Sequence, residues 1–453
     1  MPILPIDTGR YGTSEMRRIF EEESRLQKIL DVEAAVAYAH AQVGNVPKEV
    51  AEEIIEKANI QYVKLEKCKE IDKKINHDLM AIVKALTEVC SPSASRWIHF
   101  GLTSADVEDT AYALQFKEAL KIIRLRLIDL ERILIGRVEK YHNTLMVGRT
   151  HGQHVNVITL GLKLAVWMRE VSRHLRRLDQ MEDRVVTGKI MGVIGTGSGL
   201  GKNAIEIQNI ALKKLGLKSA DMVTQVIQRD LHAELVSTLV LIGSSLDKFA
   251  LEIRNLQRTE IMELMEPFKK DRQVGSSAMP AKRNPVKSER ICSLAKLMRG
   301  LLIPVYENIA LWHERDLTNS ANERFIFSMS FILLDDMINS MNKILAGLVV
   351  FPDNMKRNLA LTGGLNLSEN IVKALVEKGM GRQEAHEIVR NCSMKSITKK
   401  IQFTTALMEE ENISKLISQN EIEQVLDNSK YLGVTSKLIK NALATTKFEL
   451  ESN

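Results

Sequence analysis

Three widely separated stretches repeat apolar residues at alternating steps of four and three, the spacing of a helix that buries one stripe against neighbouring helices. The first runs Phe116, Leu120, Ile123, Leu127, Leu130, Leu134. The second is Leu235, Leu239, Ile242, Leu246, Phe249, Ile253, Leu256, and the third Phe327, Phe331, Leu334, Ile338, Met341, Leu345, Leu348. A fourth, Val157, Leu160, Leu164, Trp167, Val171, then His174 and Leu178, is interrupted by a histidine that core packing explains better than ligation. At 1.5 Å per residue the second stripe spans about 33 Å, longer than a small domain needs. Helices of that length predict an elongated bundle and burial between copies of the chain. No strand-rich block or long internal repeat competes with them, so the reading is all-α.

At 453 residues the chain exceeds one ordinary core. Shorter helices precede the stripes, one from about Ser14 to Gly44 with a glycine stop and another opened by Pro47. Beyond Phe351-Pro352 the stripes weaken, and Gly363, Gly364, Gly379 and Gly381 punctuate shorter helical patterns. Three helical domains follow: residues 1–106, a central long-helix bundle over 107–352, and 353–453.

The formal charge of +6 arises from 63 basic and 57 acidic residues in mixed runs such as Lys64 to Glu70. That pattern reads as a solvated surface, with no nucleic-acid patch, although arginines meeting in one cleft would favour a polyanionic metabolite. Cys68, Cys90, Cys292 and Cys392 lie far apart without a CxxC pair, which argues against a disulfide framework or a thiolate metal site. The N-terminus lacks an apolar signal region, and no apolar stretch approaches the ~20 residues of a membrane span. A soluble, cytoplasmic protein without a metal is expected.

Several motifs invite chemistry and have plainer accounts. The run Gly192 to Lys202 has the glycines of a phosphate loop but not the spacing, since Thr196 and Leu200 occupy required glycine positions. A connection between helices accounts for it. His151 and His154 sit three apart in Arg149-Thr150-His151-Gly152-Gln153-His154 with no third ligand nearby, so a turn followed by a helix start is expected. In Arg96 to Asp106, Thr103 can cap the next helix with Asp106 at the capping-box position. In Gly275 to Pro285, helix breakers enclose two serines, Lys282, Arg283 and Asn284 after a helix ending near Glu266. A solvated turn and a functional loop both fit. In Trp312 to Arg324, Arg315 and Arg324 lie about 13.5 Å apart along one continuous helix, so sharing an anion requires a break near Asn319.

Together these clusters resemble the fumarase and aspartase superfamily, and in detail its adenylosuccinate lyase family. Gly275-Ser276-Ser277-Ala278-Met279-Pro280-Ala281-Lys282-Arg283-Asn284-Pro285 is similar to the family's signature loop of the form GSSxMPxKRNP. His77-Asp78, His99 to Asp106, Arg149 to His154 and Trp312 to Arg315 match in the expected order. The resemblance covers nearly the whole chain. It implies a homotetramer with a twenty-helix core and active sites assembled from three chains, no cofactor, and elimination of fumarate from adenylosuccinate and from SAICAR.

By the same resemblance Ser276 is the base, His151 the general acid, and His77 a partner near the substrate phosphate or the acid. Lys282 stabilises the carbanion with Asn284 beside it, and Glu289 orients the loop. Arg10 and Tyr11 are implied for phosphate, and Thr103 and Ser104 for a succinyl carboxylate. Asp78, Thr150, Gln225, Arg315, Ser320 and Arg324 complete the substrate contacts. Ala281 stands where relatives often carry His or Tyr, and Val157-Ile158 where Pro-Thr is common, which leaves local pocket contacts open. Carboxymuconate cycloisomerase is the nearest rival, with argininosuccinate lyase and fumarase less similar in their loops. From another class, the rival is a noncatalytic helical scaffold.

Overall fold

The apolar stripes fold as three long helices, except that Leu348, the last residue of the third stripe, lies two residues beyond its helix end at Ala346. The computed structural model describes residues 3–268 and 275–451, with 67% helix and 5% strand. In chain order the elements used below are α1 (Glu22–Gln42), α2 (Asp78–Val89), α3 (Ser104–Tyr141), β1 (Leu145–Thr150), β2 (Gln153–Thr159), α4 (Leu160–Val185), α5 (Arg229–Leu256), α6 (Val286–Gly300), α7 (Ser320–Ala346) and α8 (Thr435–Glu451). Every stripe residue on α3, α5 and α7 is buried, none more than 2% exposed. At roughly 1.5–3 kcal/mol for each large apolar side chain, these stripes dominate the favourable side of folding.

Two compact units divide the chain by contacts. Unit 1 comprises Met1–Ile128, Arg173–Lys248 and Arg290–Met341, and unit 2 comprises Asp129–Ser172, Phe249–Glu289 and Asn342–Asn453. The boundaries fall inside long helices, so this is a different division from the chain-order regions 1–106, 107–352 and 353–453.

In unit 1, Phe116 of α3 packs edge-on against Phe327 of α7 and His232 of α5, with ring centroids 4.9 and 5.7 Å away. Burial, with Arg229 adding to it, lowers the His232 pKa to about 3, so this ring is a neutral packing group. His174 likewise is buried and meets the Ser245 hydroxyl at 2.8 Å, as packing predicted. The helix expected over Ser14 to Gly44 is two helices, Ser14–Ile19 and α1. Between them Glu21 is extended, and Phe20 stacks on Phe331 with centroids 5.6 Å apart.

Unit 2 corrects two expectations. Residues Leu145–Thr159 form a β-hairpin rather than a turn running into a helix, and Val157, assigned above to a helical stripe, lies in β2 paired with Val147. The segment Val155, Val157, Thr159 alternates with period two, and the period of a helix begins only at Leu160. His151 (φ 53°) and Gly152 (φ 77°) make the two-residue turn, the pair of positive φ angles that suits the twist of a tight hairpin. The second correction concerns α5, which ends at Leu256 rather than near Glu266; Leu264–Met265 instead pairs with Val349–Val350. Farther along, Ile371, Leu375, Phe403 and Leu407 centre a separate small core.

Unit 2 also buries Glu131 of α3, which accepts from the Ser172 hydroxyl, while Arg169 of α4 pairs with Glu449 of α8 at 2.8 Å. Burial above all, with the Glu449 charge adding and the Ser172 hydrogen bond opposing, raises the Glu131 pKa from 4.5 to about 7. The folded state therefore holds this proton more tightly than the unfolded chain. Its contribution to stability is complete below about pH 4.5 and is lost as pH rises through about 7. Glu131→Gln is expected to melt above wild type near pH 8 and level with it near pH 4.5. Equal melting temperatures near pH 8 contradict this.

Candidate active site

His77 caps the N-terminus of α2, its Nδ1 accepting the Met80 N–H at 3.4 Å, and Asp78 opens that helix. Thr103 and Ser104 stand at the start of α3. Asp106 accepts the Thr103 N–H at 2.8 Å, the acidic half of the expected capping box. The same carboxylate accepts the N–H groups of Met191 and Gly192 and pairs with the Lys189 ammonium at 2.5 Å. It thereby clamps the glycine-rich connection to the start of α3. Both partners of this ion pair are 0% exposed. Asp106→Ala leaves the ammonium buried without its counter-charge, a loss of about 3–5 kcal/mol. A thermal midpoint roughly 10 °C lower is expected; a midpoint unchanged by thermal unfolding contradicts it.

Upstream, His99 (φ 60°) is held by Glu33, which accepts from its backbone N–H at 3.1 Å and meets Nδ1 at 2.6 Å. Burial opposes the charged imidazolium, but Glu33 outweighs it and raises the His99 pKa. The loop leading to Thr103 is thus pinned before the helix begins.

These elements open onto a cleft of about 670 Å³ in unit 1, lined by His77, Asp78, Thr103, Ser104, Gln225, Arg315, Ser320 and Arg324. All eight were among the expected site residues. The helix break anticipated near Asn319 is present, since α7 begins at Ser320, and it lets Arg315 and Arg324 line one cleft. Arg315 donates to the side-chain amide oxygen of Gln225 at 3.1 Å, and Arg324 pairs with Asp78 at 2.7 Å. Beneath, Arg229 joins Asp109 and Glu323 at 2.8 and 2.9 Å, tying α3, α5 and α7 together. Arg10 and Tyr11 are not among the residues lining this cleft. Their segment is tied to unit 1 next door, at Gly12 and Thr13, whose N–H groups reach Asp336 and Asp335 at 3.3 and 2.9 Å.

The sequence reading missed Asp72, Asn76, Glu108, Asp316 and Leu317 in this lining, and Arg25, which meets Glu108 and Arg324 in a small adjoining pocket. Glu108 had a usable signal, lying one helical turn beyond Ser104 on the same face. Arg25, from α1, had none.

Unit 2 holds the remaining expected residues. Ser276 Oγ accepts the N–H groups of Ala278 and Met279 at 3.3 and 3.2 Å. Asn284 closes the base of the loop by donating to the Gly275 carbonyl at 3.0 Å, while Gln257 donates to that of Arg283 at 2.8 Å. Gly275 is required by this closure, because a Cβ there would lie 1.9 Å from the Lys282 carbonyl oxygen. Glu266 then accepts the N–H groups of Lys287 and Ser288 at the start of α6, where the helix dipole favours a carboxylate. Lys282, Asn284 and Glu289 line a second cleft of about 630 Å³.

Thr150 and His151 belong to the hairpin, with His151 exposed at its tip. Arg149 stiffens the strand behind it through a two-pronged pair with buried Glu263 at 2.7 and 2.9 Å. Chemically, unit 1 offers a cleft of cations, hydroxyls and an amide suited to a polyanion. Unit 2 offers a hydroxyl whose ionised form two N–H donors would stabilise, a lysine, and an exposed imidazole.

Comparison with known proteins agrees with that chemistry. A family model described as lyase matches residues 9–300, and one described as adenylosuccinate lyase C-terminus matches residues 364–442. The chain is 49% identical over 443 residues to the adenylosuccinate lyase of Pyrococcus abyssi, covering 98% of each. It is 44% identical over 447 residues to that of Methanocaldococcus jannaschii, covering 99% of this chain and 96% of the relative. Among solved structures, 3-carboxy-cis,cis-muconate lactonizing enzyme from Pseudomonas putida matches with a TM-score of 0.89 at 29% identity, covering 98% of this chain and 100% of the other.

Proposed function

The chain belongs to the adenylosuccinate lyase family, and from that premise we propose how its residues divide the work. It is a carbon–nitrogen lyase that eliminates fumarate from adenylosuccinate and leaves AMP. The rival cycloisomerase is a likeness of fold at 24% identity, well below the 49% of the lyase relative. SAICAR, giving AICAR and fumarate, is the second substrate, and the protein works in the cytoplasm as a homotetramer without a cofactor. Residues 1–106, 107–352 and 353–453 are its three domains.

Ser276 removes the proton from the carbon beside a succinyl carboxylate. The electron pair spreads into that carboxylate, then reforms as the double bond of fumarate as the C–N bond breaks. His151 delivers the proton that the departing nitrogen needs. The observation that carries this reading is the pair of N–H groups on Ser276 Oγ, because such donors favour the alkoxide over the alcohol. Lys282 adds positive charge for the alkoxide and the dianionic intermediate, with Asn284 beside it and Glu289 orienting the loop.

Thr103, Ser104, Gln225, Arg315, Ser320 and Arg324 hold the nucleotide and the carboxylates. His77 and Asp78 stand beside them, Arg10 and Tyr11 take the phosphate, and Thr150 supports the reacting end. More than one copy of the chain supplies each site. Incubation with adenylosuccinate, then with SAICAR, followed by ultraviolet absorbance, is expected to show fumarate released from both. A folded sample that releases none from adenylosuccinate overturns the reading.

A further inference from the structure

Glu108 stands at the floor of the unit-1 cleft, and nothing above gives it a task. Its Oε1 lies 3.5 Å from Nη2 of Arg25, the nitrogen that is also 3.5 Å from Oδ2 of Asp78. That Oδ2 meets Nη2 of Arg324 more closely, at 2.7 Å. Glu108, Arg25, Asp78 and Arg324 thus form a chain of alternating charge contributed by α3, α1, α2 and α7. It ends on a guanidinium that is 49% exposed.

We propose that Glu108 is a positioning residue that sets how firmly Asp78 holds Arg324 back from an anionic substrate group, and that binding of this group is coupled to proton uptake by Glu108. The inference rests on the reading of the unit-1 cleft as a nucleotide site and deepens it. At 3.5 Å, Arg25 is at the limit of a hydrogen bond to either carboxylate and is shared between them. A charged Glu108 draws Arg25 from Asp78, which leaves Arg324 as the main counter-ion of Asp78. A neutral Glu108 returns Arg25 to Asp78 and releases Arg324 to the substrate.

The two carboxylates differ in their readiness to take a proton. Burial raises the Glu108 pKa, and Arg25 offsets this only in part. Burial acts on Asp78 as well, but Arg25 and Arg324 outweigh it and hold its pKa below the ordinary value. Glu108 therefore protonates first, and an anion arriving at Arg324 pushes its pKa further up. Besides Arg25, Asp78 and Arg324, it faces Asp109 and Tyr112 on its own helix and Arg315 from the segment before α7. Arg229, behind, is engaged by Asp109 and Glu323. His77, Asp72 and Asp316 line the same cleft.

Calorimetric titration of AMP into the assembled protein, in buffers of different ionisation enthalpy between about pH 5.5 and 8, counts protons exchanged per site. After subtraction of the phosphate's own titration, wild type is expected to take up more protons than Glu108→Gln. The variant is expected to bind AMP at least about threefold tighter at the alkaline end, half a pKa unit of coupling. Glu108→Asp keeps the charge and is expected to retain part of the uptake. Equal uptake by wild type and Glu108→Gln assigns the proton elsewhere and overturns the proposal, as does unchanged or weaker AMP affinity in the folded variant. Wild type that takes up no proton at any pH in the range overturns it without any variant. Failure of wild type to bind AMP overturns the functional reading itself, and the inference with it.

Discussion

Ser276→Ala is expected to lower kcat on adenylosuccinate by roughly a hundred- to ten-thousand-fold, the range that loss of a general base covers. KM should change little, because the proposed nucleotide and carboxylate anchors are other residues. The effect of the substitution is local. Two backbone N–H groups end on Ser276 Oγ, Asn284 and Gln257 tie the base of the loop, and Glu266 fixes the helix that follows. Only the first pair needs the serine hydroxyl, so the alanine variant keeps the ties through Asn284, Gln257 and Glu266. Steady-state fumarate release, with circular dichroism as the control for folding, checks the effect. Turnover near wild type removes Ser276 from the mechanism.

His151 calls for a different substitution. Its φ of 53° lies where most side chains are strained, and alanine would disturb the hairpin as well as the chemistry. Asparagine before Gly152 suits this turn and cannot donate an acidic proton, so His151→Asn isolates the role. A fall in kcat of the same order as for Ser276→Ala is expected. If each site draws the base and the acid from different chains, mixing the two inactive variants with full subunit exchange should restore about one quarter of wild-type activity, since each residue is intact in half of the positions. No recovery after verified exchange contradicts the sharing of sites.

The long helices were legible because each stripe repeats at six or seven apolar positions spread over 19 to 22 residues, too many for another period to imitate. The hairpin was not. Val157 satisfies both the alternation of β2 and the helical count that begins at Leu160, so a reading by stripes absorbed it into α4. The end of α5 was misplaced for a related reason: the segment after Leu256 keeps apolar residues, but they pair with Val349–Val350, a partner about 85 residues away. Arg315 and Arg324 show the reverse case, where spacing alone demanded a break near Asn319 and the helix starts there.

Within the candidate site, residues in compact motifs could be named from the resemblance. Their supports could not, because they are distant in sequence. Lys189 meets Asp106 across 83 positions and Arg149 meets Glu263 across 114. Arg25 carries no pattern of its own, although it joins Asp78 to Glu108. What the geometry adds to the motif of the signature loop is the pair of backbone N–H groups on Ser276 Oγ, which every residue type but proline can supply.

The most direct test is a crystal structure of the assembled Ser276→Ala variant with adenylosuccinate bound. The account predicts the Cβ of residue 276 on one side of the scissile C–N bond, beside the carbon that loses its proton, and the His151 imidazole within hydrogen-bonding reach of the departing nitrogen. The two are expected to come from different protomers. A bound substrate that these two residues cannot reach together, in any combination of chains, contradicts it.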